Sequence, residues 1–316
     1  MKTFERKCAV CASESDAPSL CPVNLGPDSI FELKECPDCR TRYLYPEPTQ
    51  QQLAGFYHSQ YYGRDWYKQL GSGRAFAKIT LSKYSPGTFL DIGCGLGFFI
   101  KGICATSNWK VQGTEFGEKA AEFAREKLNL DVRTGDLVSA GFPAEHFDYI
   151  QIRNVLEHVT DPLELLKECR RIIKPGGTLH LFVPNGPADS ADLIRYFHAE
   201  GTSGLSKDGH LFFFPAAALR KMFESAGFLV ERGRTFGIRR GLKSLGRYPR
   251  FKDWKKPYHP RQRADDPDTD GEIVLPAGKD RPDIYYKFRL LKMNATMWPG
   301  LTNTGLDFEL LLRPKR

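Results

Sequence analysis

The sequence predicts an α/β protein: a mostly parallel sheet with helices on both faces, preceded by a small cysteine-rich lobe. Three observations predict it. From Thr88 onward short apolar runs alternate with amphipathic stretches, in the order strand, loop, helix. A glycine loop, Asp91-Ile-Gly93-Cys-Gly95-Leu-Gly97, joins the first of these strands to the first of these helices. Two Cys-x-x-Cys pairs, Cys8/Cys11 and Cys36/Cys39, lie upstream of both.

Residues 1–48 are rich in Cys, Pro and turn formers and show little apolar periodicity. A segment of that kind is expected to be held by a metal, because it lacks the residues for a core of its own. Each Cys-x-x-Cys turn sets two thiolates on one edge of an ion, and four thiolates close a tetrahedral zinc site with no open position, so the zinc would be structural. The 24 residues between the pairs exceed the usual spacing of about 15 to 20. Cys21 lies between them, as a bystander or a substitute ligand. A redox dithiol and plain buried thiols remain the alternatives.

Residues 49–87 form an aromatic linker (Phe56-Tyr57-His58, Tyr61-Tyr62, Trp66-Tyr67) and an amphipathic helix expected from Arg74 to Tyr84, stopped by Ser85-Pro86-Gly87. Residues 88–316 make the main domain. Strands are expected at Thr88–Ile92, Val111–Glu115, Asp131–Thr134, Phe147–Arg153, Thr178–Val183, Phe228–Thr235 and Leu306–Leu312. Helices are expected from Phe98 to Ala105, Glu118 to Leu128, Pro162 to Ile173 and Pro215 to Ala226. The pattern loosens for about 30 residues after Pro184, and an insertion occupies about 237–303.

Composition narrows the class. With 316 residues, 41% apolar and 27% charged, the chain is not disordered as a whole. No apolar run approaches the roughly 18 to 20 residues of a membrane span, and Met1–Lys7 lacks the apolar core of an export signal. A cytoplasmic chain is therefore expected, and its eight cysteines point to metal ligation or buried thiols rather than disulfides. The net charge of +8 is local. Residues 237–263 hold ten Lys or Arg against one acid, and the remainder has 36 bases against 37 acids.

The glycine loop is the most informative motif. Glycines let backbone approach a ligand closely, and a helix N-terminus offers free N–H groups and a positive dipole end. A dinucleotide fingerprint would need glycine where Phe98 stands. The pattern D-x-G-x-G-x-G instead resembles motif I of class I S-adenosylmethionine-dependent methyltransferases. The resemblance runs from Thr88 to Arg313. It includes Gly113-Thr-Glu115, Gly135-Asp136-Leu137, Phe147-Asp-Tyr-Ile followed by Asn154-Val-Leu-Glu157-His158-Val, and Lys174-Pro-Gly-Gly-Thr. It implies a Rossmann-like, seven-stranded sheet and S-adenosyl-L-methionine as cofactor. It also implies a cofactor site of Asp91, Gly93, Cys94, Gly95, Gly97, Phe98, Glu115, Phe116, Asp136, Leu137, Arg153, Asn154 and Tyr62. Within it Glu115 would accept from the ribose hydroxyls and the Asp136 segment would meet the adenine. Read without the resemblance, Glu115 is a solvated strand end, Asp136 a turn residue and Cys94 a small filler.

The cysteine pairs, followed by Arg42-Tyr-Leu-Tyr-Pro-Glu-Pro, resemble the zinc-binding leader of bacterial deoxysugar C-methyltransferases and of relatives that modify glycans or secondary metabolites. The C-methyltransferases carry a further C-terminal domain where this chain reaches its last sheet strand, so O-methylation of a sugar hydroxyl becomes the expectation. Methyl transfer is an in-line displacement that needs the nucleophile positioned and its proton removed. Glu157 and His158, just past the fourth strand, and His210, in the loose region, are the candidates for that work. The Glu157/His158 pair could instead hold a divalent cation, and either histidine could be structural. Tyr57, Tyr61 and Tyr62 could cover the cofactor or stack on a sugar.

The basic segment, with Arg239-Arg240, Lys243, Arg247, Arg250 and Lys255-Lys256 among aromatics, suits a phosphorylated or sugar-linked small acceptor. A solvated insertion is the plain alternative. The rival enzyme reading is an RNA or tRNA methyltransferase; the non-enzymatic one is a cofactor-binding scaffold. Oligomeric state has no signature in the sequence.

Overall fold

The computed structural model describes residues 7–26, 29–49, 52, 66–201, 204–205, 209–238, 242, 245, 273, 275, 298–303 and 305–315. Among the described residues the main sheet has seven strands of four or more residues. They are β4 (Thr88–Ile92), β5 (Lys110–Glu115), β6 (Asp131–Thr134), β7 (Phe147–Arg153), β8 (Ile173–Pro184), β11 (Phe228–Phe236) and β13 (Asp307–Pro314). Their order is β6-β5-β4-β7-β8-β13-β11, and the two-residue β12 (Trp298–Pro299) extends the β11 edge. The first five are parallel, whereas β13 runs antiparallel between β8 and β11. The strand order reverses between β4 and β7, which opens a crevice at their carboxyl ends. The expected Rossmann-like α/β sheet is what forms.

Burial explains the strand sequences. Phe89, Leu90, Tyr149, Ile150 and Ile152 lie in the middle of the sheet and are fully buried, as continuous apolar runs in two-sided parallel sheets should be. Helices α1 (Trp66–Ile79), α2 (Phe98–Cys104), α3 (Glu118–Glu126), α4 (Pro162–Ile172) and α6 (Ala216–Ser225) accompany it, whereas α5 (Gly186–Glu200) packs against the sheet of the cysteine-rich lobe.

Four readings of the sequence change. First, α1 starts at Trp66 rather than Arg74 and ends at Ile79, followed by a short 3-10 turn, Leu81–Lys83. Gly71 and Gly73 disguise it as loop, but they are packing residues. A Cβ at Gly73 would lie 1.9 Å from the Phe99 carbonyl oxygen, and one at Gly102 2.2 Å from that of Leu70, so α1 crosses α2 backbone against backbone. Second, Lys174-Pro-Gly-Gly does not end before β8 but lies inside it. Phe147 pairs Ile173 and Tyr149 pairs Thr178, so these four residues bulge out of the ladder. Lys174 Nζ then reaches Asp148 Oδ2 at 2.7 Å. Third, the loose region contains α5, a 15-residue helix that the pattern hides behind an opening Gly186-Pro187.

Fourth, residues 1–48 do have an apolar core. β1 (Ser19–Gly26), β2 (Ser29–Glu35) and β3 (Arg42–Tyr45) form an antiparallel sheet. Val23, Leu25, Phe31, Leu33 and Leu44 are buried in it. Two strands from the main domain complete this sheet: β9 (Gly204–Leu205) beside β1 and β10 (Phe212–Phe213) beside β3. The core of the lobe is continuous with that of the main domain. The alternation of period two along β1 and β2 is the signal, and the cysteines and prolines around it mask it. Among the described residues no helix is long and apolar enough to cross a membrane.

Candidate functional site

The crevice begins at the glycine loop. Gly93, Gly95 and Gly97 take φ of 72°, 56° and 82°, with Gly97 capping the N-terminus of α2. A left-handed backbone at three alternating positions explains the glycine spacing. The three differ in what faces them. A Cβ at Gly93 would strike Val155 Cγ2 at 2.5 Å and one at Gly97 would strike Leu130 Cδ1 at 2.6 Å, but one at Gly95 would meet nothing within 4 Å among the described residues. Gly95 therefore faces open space in front of the α2 N-terminus, a cradle for a closely approaching ligand.

Glu115, at the end of β5, ties this loop to its neighbour. Its Oε2 accepts from the Gly95 N–H at 2.8 Å and its Oε1 from the Gly117 N–H at 2.9 Å. Phe116 beside it is 51% exposed. Asp91 is buried, and Gln151 Nε2 donates to its Oδ1 at 3.2 Å. Burial raises the Asp91 carboxyl to about 7, while nearby Arg153 and the Gln151 hydrogen bond pull the other way.

Arg153 ends β7, with its guanidinium 4.9 Å from the ring centres of both Phe99 and Phe182. Asn154 follows with φ 52°, and its N–H donates to the Phe182 carbonyl. The other expected cofactor residues divide. Leu137 is buried behind the loop after β6, where the Asp136 carboxylate caps the turn by accepting from the Ser139 N–H at 2.7 Å. Cys94 is buried against Gly113, and burial raises its thiol well above the ordinary range. Phe98 packs its ring on Trp66 and Phe123, so its side chain serves the helix interface. Tyr62, Tyr57 and Tyr61 lie outside the described residues, as do the arginines and lysines of 239–256.

A second cluster stands beside the loop, linked to it by Val155. Glu157 is 1% exposed, and among the described residues neither carboxylate oxygen has a hydrogen-bond partner. Burial raises it to about 8, against the pull of His210. His158 Nε2 and His210 Nε2 each lie 3.9 Å from Glu157 Oε1. The two imidazoles meet edge to face at 4.7 Å. His210 Nδ1 is 2.6 Å from Asp189 Oδ2 on α5, and His158 Nδ1 is 3.2 Å from the Gly209 carbonyl oxygen. Burial, then the His210 charge, lowers His158 to about 3. Residues 52 apart in sequence (158 and 210) thus converge. Asp189 was missed in the sequence, because only the unrecognised helix α5 brings it to His210.

In the lobe, Cys8, Cys11, Cys36 and Cys39 bring their four Sγ atoms within 4.8 Å of one another. Cys8 to Cys39 is 3.7 Å and Cys11 to Cys36 is 3.6 Å. Zinc bonds of about 2.3 Å give tetrahedral S···S edges of about 3.8 Å, so the four thiols fit that ion. Hydrogen bonds from Cys8 and Thr41, against the cost of burial, lower Cys39 to about 5. Cys21 is buried away from the four-thiol group.

A glycine cradle at a switch point, with an acid at the next strand end, defines an α/β fold built to hold a small ligand beyond its strand ends. The chain matches the family described as "Methyltransferase domain" over residues 62–232, and it belongs to that family. It is 34% identical over 158 residues to a ubiquinone biosynthesis O-methyltransferase of Thiobacillus denitrificans, covering 45% of this chain and 64% of that protein. It is 28% identical over 156 residues to the protein of the same name from Nitrosospira multiformis, covering 45% of this chain and 62% of that one. The chain spans less than two thirds of the length of these curated relatives. Among solved structures, a SAM dependent methyltransferase from Archaeoglobus fulgidus is 17% identical with a TM-score of 0.43, covering 76% of this chain and 94% of that one.

Proposed function

We propose that this protein transfers a methyl group from S-adenosylmethionine to a hydroxyl of a small acceptor. The carrying observation is the pairing of an open glycine cradle at Gly95, braced by Glu115, with the buried Glu157–His158–His210 cluster that Val155 links to it. When bound, S-adenosylmethionine supplies an electrophilic methyl on a sulfonium. The cradle and Glu115 would hold its nucleoside end, and Asp91 would face its positive charge. Phe116 and Arg153 would line the same crevice.

In the reaction a C–O bond forms as the S–C bond breaks, S-adenosylhomocysteine leaves, and the hydroxyl proton must go elsewhere. The proton is removed at the Glu157–His158–His210 cluster. With Nδ1 of His210 held as donor to Asp189, its Nε2, 3.9 Å from Glu157 Oε1, is the atom assigned to take the proton. His158 serves beside it. Burial cuts off the water that would otherwise compete for that position.

The names of the relatives support O-methyl transfer. We place the acceptor among hydroxylated metabolites, sugar hydroxyls of glycans or nucleotide sugars first, because of the four-thiol lobe and the basic segment. The four thiols would hold a structural zinc ion. Assay of methyl transfer to panels of nucleotide sugars, glycans, phenols and RNA tests this reading. Turnover on a sugar hydroxyl that falls at least tenfold in His210→Ala is the expected result. Turnover confined to RNA, with steep salt dependence, would overturn it.

A further inference from the structure

We infer that Glu157, His158 and His210 form a binding site for a single divalent metal ion, separate from the four-thiol group. Three features of the side chains carry this. Glu157 is buried, and among the described residues neither carboxylate oxygen has a hydrogen-bond partner, an arrangement that is unfavourable unless a positive partner fills it. Two imidazole Nε2 atoms stand 3.9 Å from the same oxygen, Oε1. One ligand atom from each of the three residues falls within 4.8 Å of the others.

The outer contacts have the form that metal sites use. A ligating histidine normally gives its far ring nitrogen to a carboxylate or a backbone carbonyl, which fixes the tautomer and aims the other nitrogen at the ion. Here both forms occur side by side. His210 Nδ1 is bound to Asp189 and His158 Nδ1 to the Gly209 carbonyl. Bonds of about 2.1 Å make a tetrahedral edge of about 3.4 Å, so closing each 3.9 Å separation takes about half an ångström. Two imidazoles and one carboxylate suit Mn, Fe, Co or Zn, and leave open positions.

The backbone makes the site rigid. The Glu157 carbonyl accepts from both the Leu211 and Phe212 N–H groups, fastening the strand that follows His210 to the segment carrying His158. The role of the ion rests on the proposed function: in an open position it would bind the acceptor oxygen and make its hydroxyl more acidic. With the ion bound, the imidazoles act as its ligands in place of the proton-accepting role of the proposed function, and the proton of the ion-bound hydroxyl passes to solvent as the C–O bond forms.

Mn2+ is the probe, because thiolate sites disfavour it. After a brief chelator exchange, the protein is titrated with Mn2+ and free ion is followed by its paramagnetic resonance signal, with S-adenosylmethionine binding measured on the same sample. One Mn2+ per chain is expected, with a rise in melting temperature. Glu157→Gln should abolish both effects while remaining folded, and Asp189→Asn should weaken Mn2+ by about 10- to 100-fold. Failure of the wild type to take up Mn2+, or equal uptake by wild type and Glu157→Gln, would overturn the site. A chain that binds S-adenosylmethionine but not Mn2+ would leave the proposed function standing. One that binds Mn2+ but not S-adenosylmethionine would sink that function and leave the metal site.

Discussion

Asp91→Asn should make the ligand-free protein more stable above neutral pH. Asp91 is buried, and its carboxyl is raised from 3.8 to about 7, chiefly by desolvation. An acid raised by folding keeps its proton in the native state after the unfolded chain has lost it. Native stability therefore falls as pH rises from about 4 to about 7 and then levels off. Three units correspond to about 4 kcal/mol, an upper bound because Arg153 and Gln151 already offset part of the charge. Asparagine removes the titration and can keep accepting from Gln151. Urea unfolding at several pH values measures it, and taking the difference between wild type and variant cancels the other titrating groups. The variant should gain stability steadily between pH 5 and 7. The proposed function sets this carboxylate opposite a cationic cofactor, and on that reading the stabilised variant should bind S-adenosylmethionine at least tenfold more weakly. A stability difference that stays flat across this pH range would refute the assignment of Asp91 as a desolvated acid.

Other expectations follow from single contacts. Glu115→Ala removes the acceptor of both the Gly95 and Gly117 N–H groups. It should cost about 1–3 kcal/mol in denaturant unfolding and weaken S-adenosylmethionine binding in calorimetry, with unchanged affinity counting against the ribose role. Gly73→Ala drives a methyl into the Phe99 carbonyl and should cost about 1–3 kcal/mol by overpacking; a neutral result in thermal melts would contradict the α1–α2 crossing. Cys36→Ser should lower both zinc content and melting temperature. Because β10 follows His210 directly and pairs with β3 of the lobe, loss of zinc should also lower turnover; a metal analysis finding well under one zinc per wild-type chain would refute the four-thiol site.

The parallel sheet was legible because its strands are near-continuous apolar runs and its loops carry glycine at fixed intervals. Local pattern reaches that far. The site was half legible. Gly93, Gly95, Gly97 and Glu115 lie within one strand–loop–helix–strand unit, so their spacing alone places them together. His158 and His210 were readable as candidates, but their meeting depends on two things without a local signature. One is helix α5, which supplies Asp189. The other is the strand β10 that the lobe receives from the main domain. Gly73 was misread for a related reason: a glycine inside a helix signals a break locally, and only the partner backbone reveals it as a contact. The lobe's core was hidden because its alternation is short and interrupted by Cys and Pro. Asp136 shows the opposite limit, where a motif position is occupied by a residue whose visible work is to cap its own turn.

Calorimetric titration with S-adenosylmethionine, run side by side on wild type and Gly95→Ala, tests the central claim most directly. A methyl at Gly95 meets no atom of the described residues within 4 Å, so the variant should fold, with some strain from φ 56°, and its side chain would stand in the cradle. Micromolar binding by the wild type, and loss of at least tenfold in the variant, is the predicted result. Wild-type protein that shows no binding, or a folded variant that binds equally well, would contradict it.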